Sequence, residues 1–154
     1  MPLAAQHLGR HTVTVAGGPS LYNFGGAEET SRRSGVAFVF AARLEYALAR
    51  KGIAEVSLGY FEYQRDRDGG AVRSLLPEVN VQYARAVGVV RPYVGIGGGL
   101  DVRLQRGTGG TVHAVLGTRL GVAPRWSARV EARGRLLVPF NAWADLTVGA
   151  GRSF

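Results

Sequence analysis

The C-terminal stretch Ser127–Phe154 alternates residue by residue. Arg129, Glu131, Arg133 and Arg135 share one parity, and Ala128, Val130, Ala132, Gly134 and Leu136 share the other. A strand sends successive side chains to opposite faces, so one face is ionic and the other apolar, whereas a helix would mix the two sets. The rule resumes after a tight connection near Pro139–Asn141: Ala144, Leu146, Val148 and Ala150 oppose Asp145, Thr147, Gly149 and Gly151, and Phe154 is in phase with the apolar set.

The same period predicts strands through the rest of the chain. A strand over 11–22 has Val13 and Val15 opposite Thr12 and Thr14, followed by a polar loop at 23–34. Over 35–48, Val36, Phe38, Phe40, Ala42, Leu44 and Tyr46 oppose Ala37, Val39, Ala41, Arg43 and Glu45. Ala41 to Arg50 is rich in helix formers and ends in Lys51-Gly52, a helix stop. The period of two runs through the whole stretch and decides for strand. Further strands fall at 53–65, 72–83, 91–105 and 111–122, separated by Gly69-Gly70, the segment 84–90, Gly107–Gly110 and Pro124-Arg125. Pro77, inside the fourth, removes a ladder donor, which suits an edge or a bulge.

With the terminal hairpin this makes eight meandering strands, an up-and-down sheet that can remove its own edges by closing into a barrel. Eight strands leave an interior that side chains can fill. The fold class is all-β, an eight-stranded antiparallel up-and-down barrel over 11–154. Residues 1–10 are a tail in which Pro2-Leu3-Ala4-Ala5-Gln6 reads equally as an ordinary N-terminus or as the remnant of a signal peptide whose basic and apolar parts are missing.

A soluble barrel puts the apolar face inward; a membrane barrel puts it outward. Aromatic position separates the two. Tyr22, Phe24, Phe38, Phe40, Tyr60, Phe61, Phe140 and Trp143 lie near one set of strand ends, and Tyr46, Tyr83, Tyr93, Trp126 and Phe154 near the other. This predicts the aromatic girdles of a transmembrane barrel. The ionic face points the same way. Its acids are Glu45, Glu55, Glu78, Asp101, Glu131 and Asp145, and its bases Arg43, Arg103, Arg119, Arg129, Arg133 and Arg135. That balance is what an enclosed lumen needs, because a buried unpaired charge is costly. Arginine forks bind carboxylates in a cramped space, although a chain almost without lysine weakens the inference from arginine alone. Gly95, Gly97 and Gly99 on that face are expected to leave room for long arginines from opposite strands.

Composition narrows the classes further. At 154 residues the chain is one domain; 46% hydrophobic and 19% charged residues exclude a disordered chain. No apolar run approaches the roughly 18 residues of a spanning helix, which leaves strands of about 10 residues as the way to cross a bilayer. There is no cysteine. His7 and His11 are too isolated to form a metal site with His113, no cofactor is implied, and arginines that alternate with glutamates do not make a nucleic-acid patch. The net charge of +8 is expected to lie in outer loops and their borders, at Arg32, Arg33, Arg65, Arg67, Arg73 and Arg106, where it could pair with lipopolysaccharide phosphates.

Given these strands, the segment Arg91–Leu100 and the ending Gly149-Ala150-Gly151-Arg152-Ser153-Phe154, the chain resembles the small bacterial outer-membrane β-barrels of the OmpA/OmpX type. The resemblance implies an outer-membrane location, both termini in the periplasm, longer loops outside, and a C-terminal signal for the barrel-assembly machinery carried by Leu146, Val148, Ala150 and Phe154. Arg152 departs from that signal, where an apolar residue is usual. The implied role is non-enzymatic, structural or adhesive, with lipid and lipopolysaccharide as partners. Two other classes stay open: a soluble lipocalin-like ligand-binding barrel, and an outer-membrane enzyme acting on lipid A, for which His113, Asp101 and Ser74 are the candidate residues.

Overall fold

The computed structural model describes residues 11–24, 33–49, 51–64, 71–104, 107–137 and 141–154, the side chains of Phe24, Arg33, Ser34 and Gln64 apart. The strands are β1 (His11–Phe24), β2 (Arg33–Ala47), β3 (Gly52–Gln64), β4 (Ala71–Ala84), β5 (Val90–Arg103), β6 (Gly107–Ala123), β7 (Trp126–Leu137) and β8 (Asn141–Ser153). Each pairs antiparallel with its sequence neighbour, and β8 returns to β1, with Val15 opposite Ala150, to close the barrel. Ala41 to Ala47 is strand, so the alternation overrides helix propensity there. The proposed connection at 139–141 and the tail at 1–10 fall wholly or mostly outside the described residues.

Closure satisfies the backbone of every strand without an edge, a requirement in hydrocarbon, where nothing else can bond to it. Two prolines are accommodated by breaks in the ladder. Pro77 faces Leu58 of β3, and the pairing of β4 with β5 skips from Leu75–Val102 to Glu78–Gly99. Pro19 faces Phe38 of β2, and the pairing of β1 with β8 skips from Gly17–Val148 to Ser20–Asp145. In each case the missing donor lies beside an interrupted rung.

The barrel is inverted relative to a soluble core. Arg129 and Glu131 are 2% and 1% exposed, while Leu116 and Val148 are 62% and 60% exposed. Strands of 12 to 17 residues exceed the span that a tilted membrane strand needs. One end carries His11, Ser153 and the connections that follow β2, β4 and β6, and is called the termini end; the other is the loop end.

Four rings expected in the girdles point inward instead: Tyr22, Phe61, Tyr93 and Trp143 are all buried. Parity explains this, because Phe61 is in phase with Glu55 and Trp143 with Asp145. The outward rings Tyr46, Tyr83, Trp126 and Phe154 are exposed at the termini end; toward the loop end, Phe38, Phe40 and Tyr60 gather on β2 and β3.

Candidate functional site

The lumen is layered. At the loop end, Tyr22, Ala37, Val39, Phe61, Leu76, Leu137 and Trp143 form an apolar cluster, with Tyr63 packed against it. Phe61 stacks on Trp143 with ring centroids 5.8 Å apart, and Tyr63 lies 5.1 Å from Tyr22 and 5.5 Å from Phe61. These rings, drawn from β1, β3 and β8, make a lid over what lies beneath.

Below it the ionic residues converge. Strand β7 supplies Arg129, Arg133 and Arg135, which reach across the lumen to carboxylates on β2, β3 and β4. Arg133 binds Glu55 Oε1 through Nη2 at 2.8 Å and Glu78 Oε2 through Nη1 at 2.6 Å, and its Nε donates to Glu131 Oε1 at 3.1 Å. Arg135 grips Glu78 with two bonds of 2.6 and 3.0 Å, and also contacts Asp145. Arg129 binds Glu55 Oε2 at 2.7 Å and contacts Glu45 and Glu131. Arg43 binds Glu131 at 2.8 Å, and Arg119 binds Glu45 at 3.1 Å. Arg103 and Asp101 pair separately at 2.8 Å, with Arg103 partly exposed. The acids and bases of the ionic face thus all meet a partner of opposite sign. Forked guanidinium groups suit such shared contacts, since one arginine can satisfy several carboxylates at once.

Neutral groups complete the network: Asn80, Gln82 and Ser57, which were not singled out from the sequence, and Tyr93, which was expected in a girdle. Asn80 and Gln82 donate to Glu55 at 2.8 and 3.0 Å. The Tyr93 hydroxyl donates to Glu131 at 2.7 Å and accepts from Arg129 Nε at 2.6 Å, with Arg119 4.3 Å above its ring. Ser57 donates to Glu78 at 3.3 Å. Each shares the inward parity of the charged residues, and that was the signal available in the chain.

The glycines of β5 serve a different purpose from the one expected. A Cβ on Gly97 would run into Asn80 and His113, one on Gly95 into Gln82 and Val115, and one on Gly99 into Glu78. The nearest atoms are the β4 carbonyl oxygens of Val81, Val79 and Pro77, so the room is taken by the backbone and side chains of the adjoining strands, not by arginines from across the barrel.

His113 lies inside the lumen, hydrogen-bonded to Asn80 and 3.5 Å from Glu78. The register sets it opposite Gly97 and Asp101 opposite Gly109, while Ser74 faces Arg103. The three candidate residues of an enzyme therefore sit on separate rungs, each inside the wall. Among the described residues, no group of three His, Cys, Asp or Glu side chains is placed to hold a metal ion.

Leu146, Val148, Ala150 and Phe154 all face outward on β8 and at its end. Of the residues offered to lipopolysaccharide, Arg73 is exposed and binds Glu62 at 3.2 Å; Arg33 opens β2; and Arg32, Arg65, Arg67 and Arg106 lie outside the described residues. The expectation that excess positive charge collects in the outer loops needs correction, since those connections also carry Glu28, Glu29, Asp66 and Asp68. At the termini end Lys51, Arg85, Arg125 and Arg152 are exposed, and no described side-chain carboxylate is exposed there, Glu45 being buried in the lumen.

An eight-stranded closed meander with ionic residues within and an apolar exterior is the architecture of a small transmembrane β-barrel. The fold is that of the OmpA/OmpX type. No family model and no curated protein sequence matches the chain. Solved structures do. Neisserial surface protein A (NspA) aligns over 94% of this chain and 97% of its own, with a TM-score of 0.76 at 12% identity. Ail, the attachment invasion locus protein of Yersinia pestis, aligns over 93% and 98%, with a TM-score of 0.59 at 11% identity. The outer membrane enzyme PagL aligns over 93% and 99%, with a TM-score of 0.57 at 14% identity.

Proposed function

We propose that this protein resides in the bacterial outer membrane as a non-enzymatic barrel, structural or adhesive in role, whose lumen is closed to solutes. The observation that carries the reading is the inversion of polarity. Leu116, Val130, Leu146 and Val148 lie outside, and a paired ionic network lies inside. Water would not favour so continuous an apolar exterior, which counts against a soluble ligand-binding barrel. The location draws support from the outer-membrane proteins that share the fold.

Closure has two elements, the arginine–carboxylate pairs and the aromatic lid. Together they leave surface interaction as the function, carried by the loop end. Arg32, Arg33, Arg65, Arg67, Arg73 and Arg106 are the proposed contacts to lipopolysaccharide phosphates. Ail, which shares the fold, has been solved with the heparin analogue sucrose octasulfate, so one barrel of this shape takes a polyanion. Leu146, Val148, Ala150 and Phe154 are the proposed signal to the assembly machinery.

Planar-bilayer recording of the purified, refolded protein tests the reading. Insertion with no steady conductance is expected; large steady openings would overturn the closed lumen. Charge reversal at Arg32 and Arg33 is expected to weaken binding to lipopolysaccharide, and undiminished binding would remove that partner.

A further inference from the structure

Arg152 occupies a position on β8 where parity otherwise places apolar residues. It is exposed, with its guanidinium 5.8 Å from the Trp126 ring and 5.4 Å from the Phe154 ring. The motif recurs elsewhere on the same rim. Lys51, in the turn between β2 and β3, lies 5.7 Å from the outward ring of Tyr83. Arg85 and Arg125 are exposed in the two following turns at this end. The described side-chain carboxylates do not neutralise them: Glu45, Glu55, Glu78, Asp101, Glu131 and Asp145 are buried in the lumen, and Glu62 pairs with Arg73 at the loop end.

We propose that this rim binds the headgroups of anionic glycerophospholipid in the leaflet that surrounds the termini end, with the phosphate held by Arg152 beside Trp126 and by Lys51 beside Tyr83. The proposal rests on the membrane-barrel reading. Amphipathic rings settle at the level of the headgroups, and long cationic side chains reach from the apolar wall toward phosphate. Each cation near an anionic surface adds attraction. The cations are spread around the mouth, on the β2–β3, β4–β5 and β6–β7 turns and the end of β8. That spacing fits an annulus of separate lipids better than a single macromolecule seated in one concavity. It also gives Arg152 a purpose that the assembly signal does not.

Trp126 is an internal probe, since the other tryptophan, Trp143, lies in the lumen at the loop end. The full chain carrying Trp143→Phe is refolded into phosphatidylcholine vesicles that contain phosphatidylglycerol. In one series the phosphatidylglycerol is brominated near the headgroup, and in the other an equal fraction of the phosphatidylcholine is. Quenching by brominated phosphatidylglycerol is expected to exceed that by phosphatidylcholine, with a relative association constant of about fivefold for one cation. The preference should fall with added salt and approach one in Arg152→Leu and in Lys51→Gln/Arg85→Gln/Arg125→Gln/Arg152→Leu. Arg152→Leu places an apolar residue on an apolar face, so its insertion is retained. Equal quenching by the two lipids in the Trp143→Phe chain, or a preference unchanged in both variants, would overturn the proposal. So would a preference for lipid A vesicles over phosphatidylglycerol that persists in Arg152→Leu. Quenching by neither lipid would instead sink the membrane-barrel reading.

Discussion

Arg129 is the most connected cation of the lumen, and replacing it with methionine tests how the interior is held together. The side chain is 2% exposed and touches Glu45, Glu55 and Glu131, and its Nε donates to the Tyr93 hydroxyl. Removing one partner of a buried ionic cluster costs about 3–5 kcal/mol, most of it from carboxylates left short of positive charge. Here each carboxylate keeps another arginine: Arg119 for Glu45, Arg133 for Glu55, Arg43 for Glu131. The low end, about 3 kcal/mol, is therefore expected. Glu131→Gln leaves the opposite imbalance. Combining the two restores neutrality, so the double variant should be more stable than the sum of the single losses by about 1–3 kcal/mol. Equilibrium urea unfolding of vesicle-inserted protein reads these differences through Trp126 and Trp143 fluorescence, with heat-modifiable gel mobility as an independent measure of the folded fraction. Arg73→Gln, which breaks the exposed pair with Glu62, is the control and should leave the transition where it is. Single lumen variants within about 0.5 kcal/mol of the parent, with a strictly additive double, would refute a network whose members depend on each other.

Three further outcomes are expected. Gly97→Ala drives a Cβ against the Val79 carbonyl as well as Asn80 and His113 and should cost about 1–3 kcal/mol in the same unfolding assay, whereas Gly134→Ala, whose Cβ meets nothing within 4 Å, should change stability by less than about 0.5 kcal/mol. Leu116→Arg puts a charge on the outward face midway along β6 and should destabilise the inserted barrel by about 2–4 kcal/mol, measured against Leu116→Ala. Phe61→Ala with Trp143→Ala removes the stacked rings of the lid and should add openings in planar bilayers; an unchanged closed trace would remove the lid from the account of closure.

Strand count, order and facing were legible because one parity rule runs through the chain, and in β2 it outweighed the helix propensity of Ala41–Ala47. That the charged face turns inward followed from the same rule, although Arg103 is partly exposed; which of the charges touch did not, because the pairs join strands far apart in sequence, as Arg133 with Glu55 and Glu78. The aromatic reading failed where nearness to a strand end was weighed above parity. Phe61 and Trp143 sit two positions along the same face as Gly59 and Asp145, and their phase already assigned them to the lumen. The glycines of β5 misled for a geometric reason. The adjoining strands of a small barrel crowd these positions, so the nearest claim on the space comes from the β4 carbonyls of Val81, Val79 and Pro77, with Gln82, Asn80 and His113 just behind. The charge at the termini end escaped notice because bases were counted in the outer connections without the acids beside them.

The inversion of the barrel is tested most directly by scanning β7 with single cysteines, a clean experiment in a chain that has none of its own. Spin labels at Ala128, Val130, Ala132, Gly134 and Leu136 should collide with oxygen dissolved in lipid, and labels at Ser127 and at Thr147 of β8 should be shielded from it. A period of two with that phase is the predicted result. The opposite phase, with Val130 and Leu136 shielded and Ser127 and Thr147 open to oxygen in the bilayer, would contradict it.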